Sequence, residues 1–562
     1  MRTIIHGALA AALVAACSAP VPPESYDTIV RGGLVYDGTG SDPVRADIGI
    51  DGDRIAAVGD LAGAEAEAVI DASGRAVAPG FINVLSWSTE SLLQDGRGMS
   101  ELKQGVTLEV MGEGLSMGPL SPAMREEALA RQAEISYDIP WTTLGEYLQH
   151  LQDRGVAMNV ASFVGAATVR IHEVGYEDRP ATQDELAAMQ GLVREAMEEG
   201  ALGVGSSLIY PPATFASTEE LIALTSAAAD YGGGYITHMR SEAGRFLESI
   251  EETITVAREA GTWAQIYHFK PAGRANWDKH GAGITLMEDA RAEGVEITAD
   301  IYTYTAGATG LDAAFPPWSQ EGGHDAWVAR LRDPELRTRI IEEMRDPDAG
   351  YENLYLEAGS PENVILSGFR NPELRALTGK TLAEVAAERG TSPEDTIVDL
   401  VIEDDSRVDT AYVLMSEENL RKNIAWPFMM FGSDAAAMAP EPPFTARNPH
   451  PRSYGNFARL LGKYVREEKV ISLAEAVHRL TGLSAETLRL ADRGCLAPGC
   501  YADVVVFDPE TIADRATFAA PHQYAVGVDH VLVNGVLTLE DGDHTGAFAG
   551  RFVKGPGYRG AR

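Results

Sequence analysis

The chain has 562 residues, room for one large domain and a smaller one, because a single core rarely grows far beyond about 300 residues. Its 46 Lys and Arg against 83 Asp and Glu leave a net charge of −37, on a globular composition of 45% hydrophobic and 23% charged residues. So acidic a surface repels nucleic acid and anionic lipid, which excludes both as expected partners, and any site for an anionic ligand must supply its own Lys or Arg.

In chain order, Met1-Arg2, an apolar run from Gly7 to Ala16, and Cys17 read as an export signal. Val14-Ala15-Ala16-Cys17 resembles a bacterial lipobox, so residues 1–17 are expected to be a lipoprotein signal peptide with Cys17 as the acylated mature N-terminus. The apolar run is too short for a permanent span, and an uncleaved anchor is the alternative. Acyl chains on Cys17 would be the sole membrane attachment, and Ser18 suits the outer membrane of a Gram-negative cell, so the expected location is periplasmic or outer-membrane-anchored.

Residues 27–79 alternate apolar and polar positions between turn signals, with Asp51-Gly-Asp53 a hairpin cue. The pattern returns in Ala502-Asp-Val-Val-Val-Phe-Asp508 and Asp529-His-Val-Leu-Val-Asn-Gly-Val536. The two ends, 27–79 and 487–562, are therefore expected to form one small β-domain. Cys495 and Cys500 flank the turn Leu-Ala-Pro-Gly and read equally as a hairpin disulfide or as two free thiols.

Between them, over residues 80–486, the period changes to strand–helix repeats. Expected strands are Phe81–Trp87, Val106–Gly112, Met158–Gly165, Leu202–Leu208, Tyr235–His238, Gln265–His268, Val295–Tyr302 and Phe428–Asp434, with helices such as Asp184–Glu198, Glu219–Asp230 and Leu247–Ala260 among them. Alternation on this scale predicts an α/β fold, a (β/α)8 barrel of TIM type. Residues 304–427 are too many for a connection and predict an inserted subdomain or lid.

Tyr235-Ile-Thr-His238 and Gln265-Ile-Tyr-His268 carry the strongest chemical signal. Each is an apolar run that stops on a histidine, and the histidines lie 30 residues apart, the length of one strand–helix repeat. Such spacing puts both imidazoles at the active-site end of neighbouring parallel strands, and Phe428-Met-Met-Phe-Gly-Ser-Asp434 adds a carboxylate. Two imidazoles and a carboxylate suit zinc, which points to a metal-dependent hydrolase.

The stretches Tyr26-Asp-Thr-Ile-Val-Arg-Gly-Gly, Val77-Ala-Pro-Gly-Phe-Ile, Ile236-Thr-His-Met-Arg240, His268-Phe-Lys270, Tyr302-Thr-Tyr304, Gly432-Ser-Asp434, Pro449-His-Pro-Arg452 and Leu496–Asp508, in this order, resemble the amidohydrolase superfamily, in particular its N-acyl-D-amino-acid deacylases (D-aminoacylases). The resemblance covers nearly the whole mature chain. It implies a β-sandwich from both termini beside the barrel, His238 and His268 as zinc ligands on the fifth and sixth strands, and Asp434 on the eighth as general base. Where those enzymes place a cysteine ligand after the second strand, this chain has Gly112-Glu113-Gly114, so Glu113 takes the ligand position. The superfamily ends its first strand with His-x-His; here Leu85 and Trp87 stand at those positions, which leaves one ion per chain.

By the same resemblance, Arg452 grips the substrate's α-carboxylate, and Lys270 and Tyr302 approach that end of the substrate; the serine usual five residues after the tyrosine is Gly307 here. Arg240 and His450 are candidates to back these residues. The expected activity is zinc-dependent hydrolysis of an N-acyl-D-amino acid or related small carboxylate-bearing compound by metal-activated water. Cyclic amides, D-dipeptides, or a degenerate non-catalytic surface lipoprotein are the alternatives.

Overall fold

A computed structural model describes residues 25–560, so the expected signal peptide and Cys17 lie outside the described residues. Eight strand positions form the centre: β1 Phe81–Asn83, β2 Val106–Met111, β3 in two pieces (Asn159–Ser162 and Val164–Gly165), β4 Gly203–Ser207, β5 Gly234–His238, β6 Ala264–Ile266, β7 Ile297–Ile301 and β8 Met429–Phe431. All neighbouring pairs run parallel, and Phe163 divides β3 so that its first piece pairs with β2 and its second with β4. A parallel bridge from Ser86 to Ala435 closes β1 onto β8, giving the (β/α)8 barrel. Its interior is filled by Ile82, Val84, Leu108, Val110, Ala161, Ile236 and Met430, all essentially inaccessible.

Helices fall where the apolar period placed them: Gln183–Glu199, Thr218–Ala229 and Phe246–Ala260. Thr182 caps the first through a reciprocal capping box with Glu185, an arrangement worth about 1 kcal/mol. Several expected strands prove shorter at their C-terminal ends, because the chain leaves the sheet to aim side chains into the barrel mouth. β6 stops at Ile266, two residues before His268, and β8 at Phe431, three before Asp434.

Both terminal segments join a nine-stranded sheet. The long strand Ser25–Val35 shifts register between Val30 and Gly33, pairing first with Glu65–Asp71 and then with Ala76–Pro79. Val504–Phe507 adds antiparallel to Ala76–Pro79 and so carries the C-terminal strands onto the N-terminal ones. Val30, Ile48, Ile50, Val77, Val504, Val506 and Leu532 make its core. Gly52 and Asp53 turn the expected hairpin, Asn534-Gly535 turns a second one inside the stretch read as continuous, and a disulfide joins Cys495 to Cys500. Within residues 304–427, Ala306–Gly310, Val364–Gly368 and Asp409–Val413 form a separate antiparallel sheet flanked by helices. Among the described residues no helix is long and apolar enough to cross a membrane.

Candidate metal centre

Glu113 reaches the barrel mouth through a turn that only glycine permits on either side. Gly112 and Gly114 have φ of +106° and +71°, and an added Cβ would lie 2.3 Å from the Phe163 carbonyl oxygen and 2.4 Å from the Ser207 Cβ respectively. The buried Glu113 carboxylate then places Oε1 3.2 Å from His238 Nδ1 and 3.3 Å from His268 Nε2. Among the described residues these three form the one cluster of His, Cys, Asp or Glu able to share an ion, with all donor atoms within 4.8 Å of one another.

His238 closes β5, as expected, but His268 lies beyond its strand at φ +35°, a conformation that costs about 1–3 kcal/mol for a residue with a Cβ. Asp300 at the end of β7 holds it there by accepting the His268 backbone N–H at 3.1 Å, while Gln265 Nε2 donates to its other oxygen at 2.6 Å. Asp300 was not singled out by sequence reasoning; its signal is an acid in an otherwise apolar strand.

The donor set fits zinc. Ligands about 2.0–2.1 Å from a tetrahedral ion stand about 3.3–3.4 Å apart, close to the two oxygen–nitrogen distances here. An ion on Nε2 of His268 leaves Nδ1 protonated, and Nδ1 faces Glu242 Oε1 at 2.9 Å. Lys270 Nζ donates to the same Oε1 at 2.7 Å and stands 2.9 Å from Nδ1, so the lysine is committed to orienting this histidine and its carboxylate. His238 Nε2 is buried without a hydrogen-bond partner, with Glu242 Oε2 at 3.9 Å. Glu242 thus backs both imidazoles. Sequence reasoning missed it, although an acid four residues past the first histidine and a lysine two past the second were visible signals.

The electrostatics agree. Burial opposes charge on Glu113, yet both imidazoles hold its carboxyl well below the usual carboxylate range. Burial likewise opposes charge on Glu242, and the Lys270 ammonium and both imidazoles together outweigh it and hold its carboxyl below the usual carboxylate range. Burial and Lys270 push His268 down, but the two carboxylates prevail and lift it to about 10. Two ionised carboxylates around two imidazoles favour a cation between them.

Asp434, at φ +49°, is fixed by its backbone N–H donating to the Leu85 carbonyl at 2.9 Å. Its Oδ2 lies 2.8 Å from Arg452 Nη1, so the expected base and the expected carboxylate clamp pair with each other. Burial raises the Asp434 carboxyl, and Arg452 pulls against that. The Tyr302 ring lies beneath both cations, 4.4 Å from the Arg452 guanidinium carbon and 5.8 Å from Lys270 Nζ. Its hydroxyl is buried without a hydrogen-bond partner, and burial pushes it up to about 12, so it is a neutral donor at the mouth. An added Cβ on Gly307 would approach that hydroxyl to 3.6 Å, so the glycine leaves space where a serine could reach it. His450 Nδ1 accepts the Arg452 backbone N–H at 3.0 Å and backs the clamp. Arg240 instead ties Glu252 to the Thr214 and Ala216 carbonyls, away from the mouth.

On the first strand, Leu85 is fully buried and Trp87 is 37% exposed. Neither offers a metal donor, but the Trp87 indole N–H donates to Glu113 Oε2 at 2.9 Å.

The sequence profile described as "Amidohydrolase family" matches residues 68–539. The chain belongs to the amidohydrolase family. This amidohydrolase is 35% identical over 531 residues to the D-aminoacylase of Alcaligenes xylosoxydans xylosoxydans, covering 94% of this chain and 98% of that one. It superposes with a TM-score of 0.79 and 30% identity on the N-acyl-D-glutamate deacylase of Bordetella bronchiseptica complexed with zinc and a phosphonate inhibitor, over 94% of this chain and 100% of that one. A D-aminoacylase structure concerned with its binuclear metal centre, one-metal activation and second-metal attenuation, matches with a TM-score of 0.78 and 34% identity over the same shares. As an amidohydrolase the protein is a metal-dependent hydrolase of amide carbon–nitrogen bonds.

Proposed function

We propose that this amidohydrolase removes the acyl group from N-acyl-D-amino acids, with a single zinc ion held by Glu113, His238 and His268. The observation that carries the reading is the position of Glu113 Oε1, 3.2 Å and 3.3 Å from one nitrogen of each histidine, beside the buried Arg452, Lys270 and Tyr302 and the largely buried Asp434. The names of the relatives supply the substrate class.

When bound, zinc lowers the pKa of a water towards 7 and polarises the scissile carbonyl. Asp434 accepts the water's proton and returns it to the departing amine. Arg452, whose fork matches a carboxylate in geometry and charge, takes the substrate's carboxylate, with the unpartnered Tyr302 hydroxyl as a second donor. Lys270 contributes positive field to the same end while it orients His268 through Glu242. The Cys17 lipobox supports export and tethering at the cell envelope.

The test is turnover of the zinc-loaded protein on matched N-acyl-D- and N-acyl-L-amino acids and on cyclic amides. Preference for the D series supports the reading. Turnover confined to cyclic amides, or none with zinc bound, contradicts it.

A further inference from the structure

Glu113 has two carboxylate oxygens, and the structure gives them different partners. Oε1 points between the imidazoles, while Oε2 accepts the Trp87 indole N–H at 2.9 Å. A hydrogen bond to an ionised acceptor is about twice as strong as a neutral one, and it removes rotamer freedom that a Glu side chain otherwise keeps. The indole comes from the first strand, where Trp87 is itself fixed by its backbone N–H donating to the Ala435 carbonyl at 2.9 Å. Two residues earlier, Leu85 packs so closely on Gly432 that a Cβ added there would lie 2.5 Å from its own.

A second ion about 3.5–4 Å from the first needs a shared oxygen and further donors of its own. The first strand supplies no such donor, since Leu85 is apolar and the indole has only its N–H. Oε2, the Glu113 oxygen turned away from the imidazoles, already commits one of its two lone pairs to that N–H on the first-strand side.

We propose that Trp87 is the positioning residue of the zinc site: its indole N–H caps Glu113 Oε2, directs Oε1 alone at the ion, and denies a second cation a bridging oxygen. The inference rests on the reading of Glu113, His238 and His268 as zinc ligands.

The experiment measures zinc stoichiometry in excess zinc and the zinc dissociation constant by chelator competition, on the full chain, its Trp87→Phe variant and a Leu85→His/Trp87→His double variant. The visible spectrum of each cobalt(II)-loaded form reports coordination number. The unaltered chain is expected to hold one zinc at any excess. W87F should also hold one, about tenfold or more weaker, as for loss of a group that orients a ligand. Its cobalt absorption should fall, because a freed carboxylate can bind through both oxygens, while the melting temperature of the metal-free protein stays unchanged. The double variant should take two zinc ions. A W87F dissociation constant within twofold of the original with an unchanged cobalt spectrum would overturn the proposal, as would a second zinc in the unaltered chain. Failure of the unaltered chain to bind any zinc would overturn the ligand reading itself, an outcome distinct from both.

Discussion

The Arg452 guanidinium lies 2.8 Å from the Asp434 carboxylate, so the proposed substrate clamp and the proposed general base hold each other in the free enzyme. Arg452 is buried and Asp434 largely so, and deleting one partner of such a pair leaves the other charge uncompensated, at about 2–5 kcal/mol. Arg452→Ala is therefore expected to lower kcat/KM for carboxylate-bearing substrates by two orders of magnitude or more. It should also shift the pH profile. Burial raises the Asp434 carboxyl and Arg452 opposes it, so removal of the cation lifts it further. Asp434 accepts a proton only when ionised, which moves the acidic limb of kcat/KM to higher pH. An unmoved limb would mean that Asp434 is not the base.

Asp434→Ala should collapse kcat by about 10²–10⁴ while the zinc content stays near that of the unaltered protein, because Asp434 lies outside the three-residue donor cluster. His238→Ala should lose both. Metal analysis beside turnover decides the point: equal zinc loss in the two variants would make Asp434 a ligand.

Glu113→Cys should retain zinc, since a thiolate is a competent ligand on the same glycine-flanked turn, whereas Glu113→Ala should not. Glu242→Gln keeps the shape but weakens the acceptor that faces both imidazoles, and its zinc affinity should drop about 10–100-fold. Chelator competition measures all three, and unchanged affinity in Glu242→Gln would remove Glu242 from the site.

Away from the mouth, Glu109 on β2 and Glu101 on the helix Met99–Leu102 are both fully buried. Burial lifts Glu109 to about 7, and burial together with the Glu109 charge lifts Glu101 well above the carboxylate range. A carboxyl raised in the folded state stabilises fully below its unfolded value, and that stability is lost as pH climbs to the folded one. The loss for Glu109 is about 1.4 kcal/mol per pH unit between about 4.3 and the folded value. Glu101→Gln should thus raise the melting temperature at pH 8 and leave it nearly unchanged at pH 5. Equal shifts at both pH values would contradict this assignment.

Much of this was legible in the sequence, for physical reasons that differ by element. The barrel strands were readable because apolar runs buried on both sides stand out, and the helices because their apolar faces recur at the helical period. His238, His268 and Asp434 were readable because each ends such a run, and Glu113 because it stands where the resembled deacylases place a cysteine ligand. The backing residues were not. Glu242, Asp300 and Trp87 act across strands, through contacts such as Gln265 Nε2 to Asp300 and Trp87 Nε1 to Glu113, and no sequence period records which strand a side chain leans towards. The strand ends were overextended for a related reason. His268 and Asp434 need left-handed backbone to aim inward, and that bend is fixed by hydrogen bonds from β7 and from Leu85 rather than by local propensity.

The most direct test of the account is a crystal of the zinc-loaded protein with anomalous diffraction recorded at the zinc edge. The account predicts a single peak per chain, about 2.0–2.2 Å from Glu113 Oε1, His238 Nδ1 and His268 Nε2. No peak there, or one that leaves Glu113 uncoordinated, would contradict it.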